Sequence, residues 1–382
     1  SYQRAIKINP DYAEAHNNLG AAFQQKGNLA SAIKNYYSAT KIAPNHAESH
    51  QNLANALLMN GDLAAAIKSY KHSLKIMPDL PEVHSNLGVA LIRIGDLPKA
   101  IESFERALKI EPAFASAFVN KLHQQFFICD WDTLKSDSNL IPDLGISTDF
   151  IDPLPMLALE DHPARHLKRS TLFAKHKCRE KNKALPVLAG TSQNPDRIRI
   201  GYFSGDFHEH PVMRLIIKMF ELHDRSTFEI QAFSHHTYNN DGMHKRLIGG
   251  FDSFHDVSDM LDKDIAGLAR TQGIDIAIDL TGYTQKTRPC IFAYRAAPIQ
   301  VSYLGYPGSM GADFIDYLIA DHILIPKDHQ KFYSEKIVYM PDCYQISDNS
   351  RRPSKTKVSR SELGLPETGF VFCCFNNNFK IT

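Results

Sequence analysis

With 382 residues the chain has room for two or three domains. Its 43 Lys and Arg almost cancel its 42 Asp and Glu, and no basic run carries interleaved aromatics, so neither nucleic acid nor an anionic membrane is an indicated partner. No apolar run reaches membrane-spanning length, and six cysteines with no C-x-x-C pair give no disulfide framework, which suits a reducing, cytoplasmic setting.

Pro10, Pro44, Pro78 and Pro112 stand 34 residues apart, and the residues between them repeat in register. Three full repeats follow, 13–46, 47–80 and 81–114. Leu19, Leu53 and Leu87 share the seventh position, Gly20, Ala54 and Gly88 the eighth, and Phe23, Leu57 and Leu91 the eleventh. Gly27, Gly61 and Gly95 mark a turn, while Ala32, Ala66 and Ala100 and then Tyr36, Tyr70 and Phe104 belong to a second helix. Small residues let two antiparallel helices approach, and the large ones fill the space between them. This pattern resembles the tetratricopeptide repeat, an α solenoid. The chain opens inside a repeat, at Tyr2, Ala5, Ile8 and Pro10, so the expected native solenoid is longer. The solenoid is assigned to 1–124.

A second column, Asn18, Asn52, Asn86 and Asn120, has no packing reason. First helices line the concave face of such repeats, and a ladder of carboxamides there suits sequence-independent bonding to an extended acceptor peptide. The alternative is a set of polar residues on an exposed face.

After Asn120 the pattern fails. Residues 122–131 bring apolar bulk and the single Trp131, which reads as the capped end of the solenoid, and 125–195 reads as a connector. From Arg197 the period changes to short β-rich runs alternating with helical ones: strands at 198–204, 228–234, 251–257, 274–280, 299–304 and 317–320, helices at 212–222, 241–249 and 259–272. That alternation predicts a parallel, doubly wound Rossmann-like lobe over 196–365. Ligands of such sheets lie beyond the carboxyl ends of the strands. Three glycine-bearing loops fall there, 204–211, 281–284 and 305–309, and each glycine would let a ligand approach the backbone. An ordinary turn is the alternative for any one of them.

The motifs Cys-Asp-Trp (129–131), Gly-Asp-Phe-x-x-His-Pro (205–211), Gly-Tyr-Thr (282–284), Ala-Pro-Ile-Gln-x-x-x-Leu-Gly-Tyr-Pro-Gly (297–308), Tyr-Ser-Glu-Lys (333–336) and Phe-Asn-Asn-Asn-Phe-Lys (375–380) follow the asparagine-bearing repeats in this order. Over nearly its whole length the chain resembles the protein O-linked N-acetylglucosamine transferases. The resemblance implies a two-lobed GT-B glycosyltransferase, inverting and metal-independent, which moves a sugar from a uridine-diphosphate donor to Ser or Thr hydroxyls of proteins. It implies no cofactor, the nucleotide sugar being a co-substrate, and a cytoplasmic or nucleocytoplasmic place of work. The plant protein O-fucosyltransferases share the architecture with a guanosine-diphosphate donor.

By the same resemblance His210 is the active-site histidine and Lys380 contacts the donor phosphates. Thr284, Leu304, Gly305 and Pro307 line the sugar pocket, and Asn377 stands where the family often has a nucleotide-contacting glutamine. Arg270 replaces a histidine of the animal enzymes. Departing diphosphate needs a cation, a metal or helix amides. Asp262-Lys263-Asp264 is the one Asp-x-Asp run worth inspecting, and a solvated helix start explains it better. Residues 366–382 read as the start of a second, nucleotide-binding lobe, its first strand at 369–376, and the chain alone is expected to be inactive. A non-catalytic peptide-binding scaffold is the competing reading.

Overall fold

The computed structural model describes residues 1–178, 196–236, 241–352 and 355–372. They form two compact units, one from 1–151 with 158–160, the other from 152–157 and the described residues from 161 on. Among the described residues no helix is long and apolar enough to cross a membrane.

The first unit is the expected solenoid. Helix α1 (Tyr2–Ile8) precedes three antiparallel pairs: α2 (Ala13–Gln25) with α3 (Leu29–Ile42), α4 (Ala47–Asn60) with α5 (Leu63–Ile76), and α6 (Pro81–Arg93) with α7 (Leu97–Ile110). A methyl group at Gly20 would come within 2.7 Å of the Tyr36 ring, and one at Gly88 within 2.6 Å of the Phe104 ring, so the small residues are required by the helix approach. Asn28, Asp62 and Asp96 cap the second helices by accepting the amides of Ser31, Ala65 and Lys99. His16, His50 and His84 turn Nε2 onto the carbonyls of Pro10, Pro44 and Pro78 at 3.1, 2.9 and 2.8 Å. Because a carbonyl only accepts, Nε2 carries the proton in each ring.

The repeat does not stop at residue 120. Helices α8 (Ala115–Phe127) and α9 (Trp131–Asp137) form a fourth pair, so position 124 falls inside a helix. Asp130 caps α9 through the Thr133 amide, 34 residues after Asp96. The glycine before each earlier cap has φ of 78°, 87° and 82°, and Cys129 fills the same left-handed position at 60°. A cysteine where the pattern asks for glycine is what hid this pair in the sequence.

In the second unit, most of α10 (Pro153–Leu159) and all of α11 (Pro163–Lys177) precede a parallel sheet. Its strands are β1 (Ile198–Ser204), β2 (Phe228–Ser234), β3 (Ser253–Asp256), β4 (Ile276–Asp279), β5 (Ile299–Ser302), β6 (Tyr317–Ala320) and β7 (Lys336–Tyr339), ordered β3-β2-β1-β4-β5-β6-β7. Strand β7 is additional to the strands expected from the sequence. Helices α12 (Pro211–Leu222), α13 (Gly242–Gly249), α14 (Asp262–Thr271) and α15 (Cys290–Ala293) cover both faces. Tyr202 and Phe203 show why: alternate side chains of β1 enter opposite cores, Tyr202 with Ile216, Ile217 and Phe220 of α12, Phe203 with Ile265, Ala266 and Phe292 of α14 and α15. Strand order reverses between β1 and β4, which makes their carboxyl ends the switch point where ligands of such sheets bind.

The cysteine reading needs correction. Cys178, at the end of α11, and Cys290, opening α15, are disulfide-bonded with Cα atoms 5.5 Å apart. Their separation of 112 residues gave no spacing signal, and the shared face of the sheet brings them together. Half of the expected strand at 369–376 lies outside the described residues, and 369–372 form none.

Candidate active site

His210 is the N-cap of α12, and its Nδ1 accepts the Val212 amide at 3.3 Å. In the neutral ring the proton therefore sits on Nε2. The buried carboxylate of Asp206 lies between two imidazoles, 3.9 Å from His208 Nε2 and 3.8 Å from His210 Nδ1. From α13 the loop is braced by Asp241, which accepts the Glu209 amide at 2.9 Å, and by His244, whose Nδ1 meets the Phe207 carbonyl at 2.9 Å.

The three glycine loops do lie at one edge of the sheet, and they lock onto each other. The Gly205 amide donates to Thr281 Oγ1 at 3.3 Å. A Cβ at Gly305 would collide with the Leu280 carbonyl, and one at Gly282 with Tyr306. These two glycines are needed for loop-to-loop packing. Gly282 also has φ of 54°, and Leu304 adopts 68°, a left-handed conformation uncommon for leucine. Asp279, fully buried at the end of β4, receives the Thr281 and Gly282 amides at 2.8 and 3.1 Å. Burial pushes its carboxyl up to about 6, against the pull of those two hydrogen bonds.

Thr284 directs its hydroxyl to the Thr281 carbonyl at 2.9 Å. Leu304 and Pro307, with Tyr303, Ile319, Leu324 and Tyr344, line a cavity of about 20 Å³. That is room for about one water.

Basic groups that sequence reasoning passed over border the same loop. Lys286 packs beside Gly205 with φ of 62°. Burial, then the Lys286 charge, lowers the His208 and His236 imidazoles, and burial takes His235 down to about 3. Gly205 and Lys286 are far apart in the chain, so no motif spacing announces the pairing.

Lys380 and Asn377 lie outside the described residues. Asp262 is held by Arg288 Nε at 2.7 Å, in keeping with a helix start and not with a metal ligand. Among the described residues no group of three or more His, Cys, Asp or Glu side chains could hold a metal ion. Arg270 bonds the Arg295 and Tyr294 carbonyls at 2.6 and 3.3 Å, a support for the end of α15. In the solenoid, Asn52 Nδ2 donates to Asn17 Oδ1 at 3.1 Å and Asn86 Nδ2 to Asn55 Oδ1 at 3.2 Å, so part of the asparagine column ties neighbouring repeats together. Asn18 is exposed, and Asn120 is half-buried.

Tetratricopeptide pairs precede a parallel, Rossmann-like sheet that carries a histidine-capped loop at its switch point. Residues 161–354, half of the chain, match the model of glycosyl transferase family 41, and 11–79 and 47–112 match tetratricopeptide repeats. The chain belongs to glycosyl transferase family 41. It is 40% identical over 190 residues to the probable UDP-N-acetylglucosamine–peptide N-acetylglucosaminyltransferase SEC of Arabidopsis thaliana, covering 48% of this chain and 19% of that protein. With the UDP-N-acetylglucosamine–peptide N-acetylglucosaminyltransferase of Caenorhabditis elegans it shares 34% over 240 residues, 59% of this chain and 21% of the other. A mutant O-GlcNAc transferase of Thermobaculum terrenum superposes with a TM-score of 0.56 at 25% identity, over 87% of this chain and 58% of that one. The chain thus spans about a fifth of the length of these two curated relatives.

Proposed function

We propose that this chain carries the acceptor-binding solenoid and one catalytic lobe of a cytoplasmic protein O-glycosyltransferase that moves N-acetylglucosamine from UDP-N-acetylglucosamine to Ser or Thr hydroxyls. The observation that carries the reading is the capped His210 at the switch point of a family 41 lobe. The names of the plant and nematode relatives favour the sugar and the peptide acceptor.

In this reading the acceptor oxygen bonds to the anomeric carbon as the sugar–diphosphate bond breaks, with inversion and without a metal. The electron pair leaves with the diphosphate, and the hydroxyl proton passes to diphosphate oxygen or solvent. With Nδ1 engaged by Val212, neutral His210 acts as an Nε2–H donor that orients a donor oxygen, since Nε2 is already protonated and cannot serve as a base. Developing charge is met by Lys380, carried over from the family. Thr284, Leu304, Gly305 and Pro307 face the sugar, Asn377 the nucleotide, and the asparagine column the acceptor backbone.

The test is incubation of the full-length protein with UDP-N-acetylglucosamine or GDP-fucose and a peptide mixture, read by mass spectrometry. N-acetylhexosamine on Ser or Thr is expected. Deoxyhexose from GDP-fucose alone would move the assignment to fucosyl transfer, and no modification with either donor would leave the scaffold reading.

A further inference from the structure

Glu335 lies just before β7, and its side chain is buried. Oε2 accepts the Ser309 hydroxyl at 2.7 Å, and Oε1 accepts the Met310 amide at 2.7 Å. Ser309 Oγ in turn accepts two backbone amides, that of Gly311 at 3.0 Å and that of Ser334 at 3.2 Å. Those amides fill both lone pairs of the oxygen, so the proton on its contact with Glu335 belongs to Ser309. Both carboxyl oxygens must then be acceptors, which only the ionised side chain provides. The Ser334 hydroxyl, 3.2 Å from Ser309 Oγ, is a further partner of the cluster. Burial raises the Glu335 carboxyl, and the surrounding hydroxyls and amides pull it back. Among the described residues these donors, and no cation, compensate the charge. A buried carboxylate is an unfavourable choice for packing alone.

What Glu335 grips is the loop after β5. Ser309 and Met310 come directly after Gly305, Tyr306, Pro307 and Gly308, and this stretch forms no helix or strand, so side chains must hold its backbone. The Met310 carbonyl accepts the Tyr283 hydroxyl at 2.7 Å, and Tyr283 precedes Thr284 in the loop after β4. The rings of Tyr283 and Tyr306 meet edge to face with centroids 5.4 Å apart, and both are buried. One carboxylate thus fixes two adjacent residues of the first loop and, through Met310, reaches the second.

We propose that Glu335 is a positioning residue for the sugar wall, its carboxylate setting the places of Pro307 and Thr284 through Ser309, Met310 and Tyr283. This rests on the reading of the two loops as the donor-sugar pocket. Glutamine has almost the same shape and a single acceptor. With its amide nitrogen toward Ser309 it would require a third lone pair there, and with that nitrogen toward Met310 two N–H groups would meet. Either orientation breaks a bond and releases the loop.

The test compares Glu335→Gln with the parent, by NMR in this chain and by kinetics in the full-length protein. The amide resonances of Thr284, Gly305 and Gly308 should shift, while those of Ile200 and Ile230 in β1 and β2 stay in place. The KM for the nucleotide sugar should rise about tenfold or more, with the KM for an acceptor peptide within about twofold of the parent, since only donor contacts are displaced. A purely structural role would lower the amount of folded enzyme, and hence kcat, and leave the donor KM unchanged. Should Glu335→Gln not fold, Ser309→Ala, which removes one partner and keeps the carboxylate, is read in the same two ways. Unmoved loop resonances, or an unchanged donor KM in the folded variant of an active parent, overturns the positioning role alone. A parent that transfers sugar from neither UDP-N-acetylglucosamine nor GDP-fucose overturns it together with the transferase reading.

Discussion

Thr281 Oγ1 accepts the backbone N–H of Gly205 at 3.3 Å, and this bond joins the loop after β1 to the loop after β4 at the switch point of the sheet. Both residues are buried. Thr281→Val keeps the shape and removes the acceptor, so the Gly205 amide is left unmatched, at a cost of about 1–3 kcal/mol. Urea unfolding of the variant should show the loss with an unchanged slope. A midpoint equal to that of the parent chain would mean that the bond carries no weight.

Gly305 offers a sharper contrast. Its amide bonds the Tyr303 carbonyl at 2.8 Å, and its missing side chain is where the Leu280 carbonyl sits. Backbone cannot yield as a flexible side chain does, so Gly305→Ala should cost about 3 kcal/mol, at the upper end of overpacking effects. At Gly267, where a Cβ meets nothing within 4 Å, the same substitution should be neutral or stabilising because it sits inside a helix. Equal effects of the two changes, measured by thermal unfolding, would contradict the interlocked-loop account.

The solenoid was legible because each repeat buries the same residues against its neighbour, which a sequence displays as a fixed period. The fourth pair was not, since one cysteine at φ of 60° stands where three glycines set the expectation. The lobe showed its strand and helix alternation, while β7 at Lys336–Tyr339 begins on the last residue of the Tyr-Ser-Glu-Lys motif and was read as part of that motif. His210 was readable from its motif, but its tautomer depends on Val212 and needed geometry. Asp279, His235 and Lys286 carry no local pattern: what sets them apart is burial and a neighbour from another loop.

The asparagine column divides into tied and untied members. Asn52 and Asn86 each donate to an asparagine of the preceding repeat, and among the described residues Asn120 makes no such bond. Asn52→Ala and Asn86→Ala should each lower solenoid stability by about 0.5–1.5 kcal/mol, with Asn120→Ala close to neutral. If all three grip acceptor backbone, their affinities for a long peptide should fall together in spite of unequal stability. A fall in affinity that tracks stability, position by position, would assign the column to packing.

His235 ties acid stability to the sheet edge. Burial takes its imidazole from 6.5 down to about 3, so the folded chain refuses a proton that the unfolded chain accepts. Its contribution is complete above pH 6.5 and is lost as pH falls toward 3. His235→Gln, which cannot titrate, should therefore lose less stability between pH 7 and pH 4.5 than the parent, by about 2–3 kcal/mol. Parallel curves of unfolding free energy against pH would show that the ring is protonated at its ordinary value in the fold.

Asp279 slopes the other way across the same window. Its carboxyl rises from 3.8 to about 6 on folding, because burial outweighs the Thr281 and Gly282 amides. Between those values the folded chain holds a proton that the unfolded chain has released, so the contribution to stability falls as pH rises through 6. Above pH 6 the penalty of keeping a buried carboxylate is full, at most about 3 kcal/mol. An asparagine at this position would be neutral throughout, and its carbonyl oxygen can take both amides. Asp279→Asn should thus match the parent near pH 4 and exceed it increasingly toward pH 7, as followed by urea midpoints at several pH values. Because His235 gains over the range where Asp279 loses, the parent curve itself should be flatter than that of either single variant. A stability gap between Asp279→Asn and the parent that is constant with pH, or that closes as pH rises, would mean that Asp279 is already ionised in the folded chain below its assigned value.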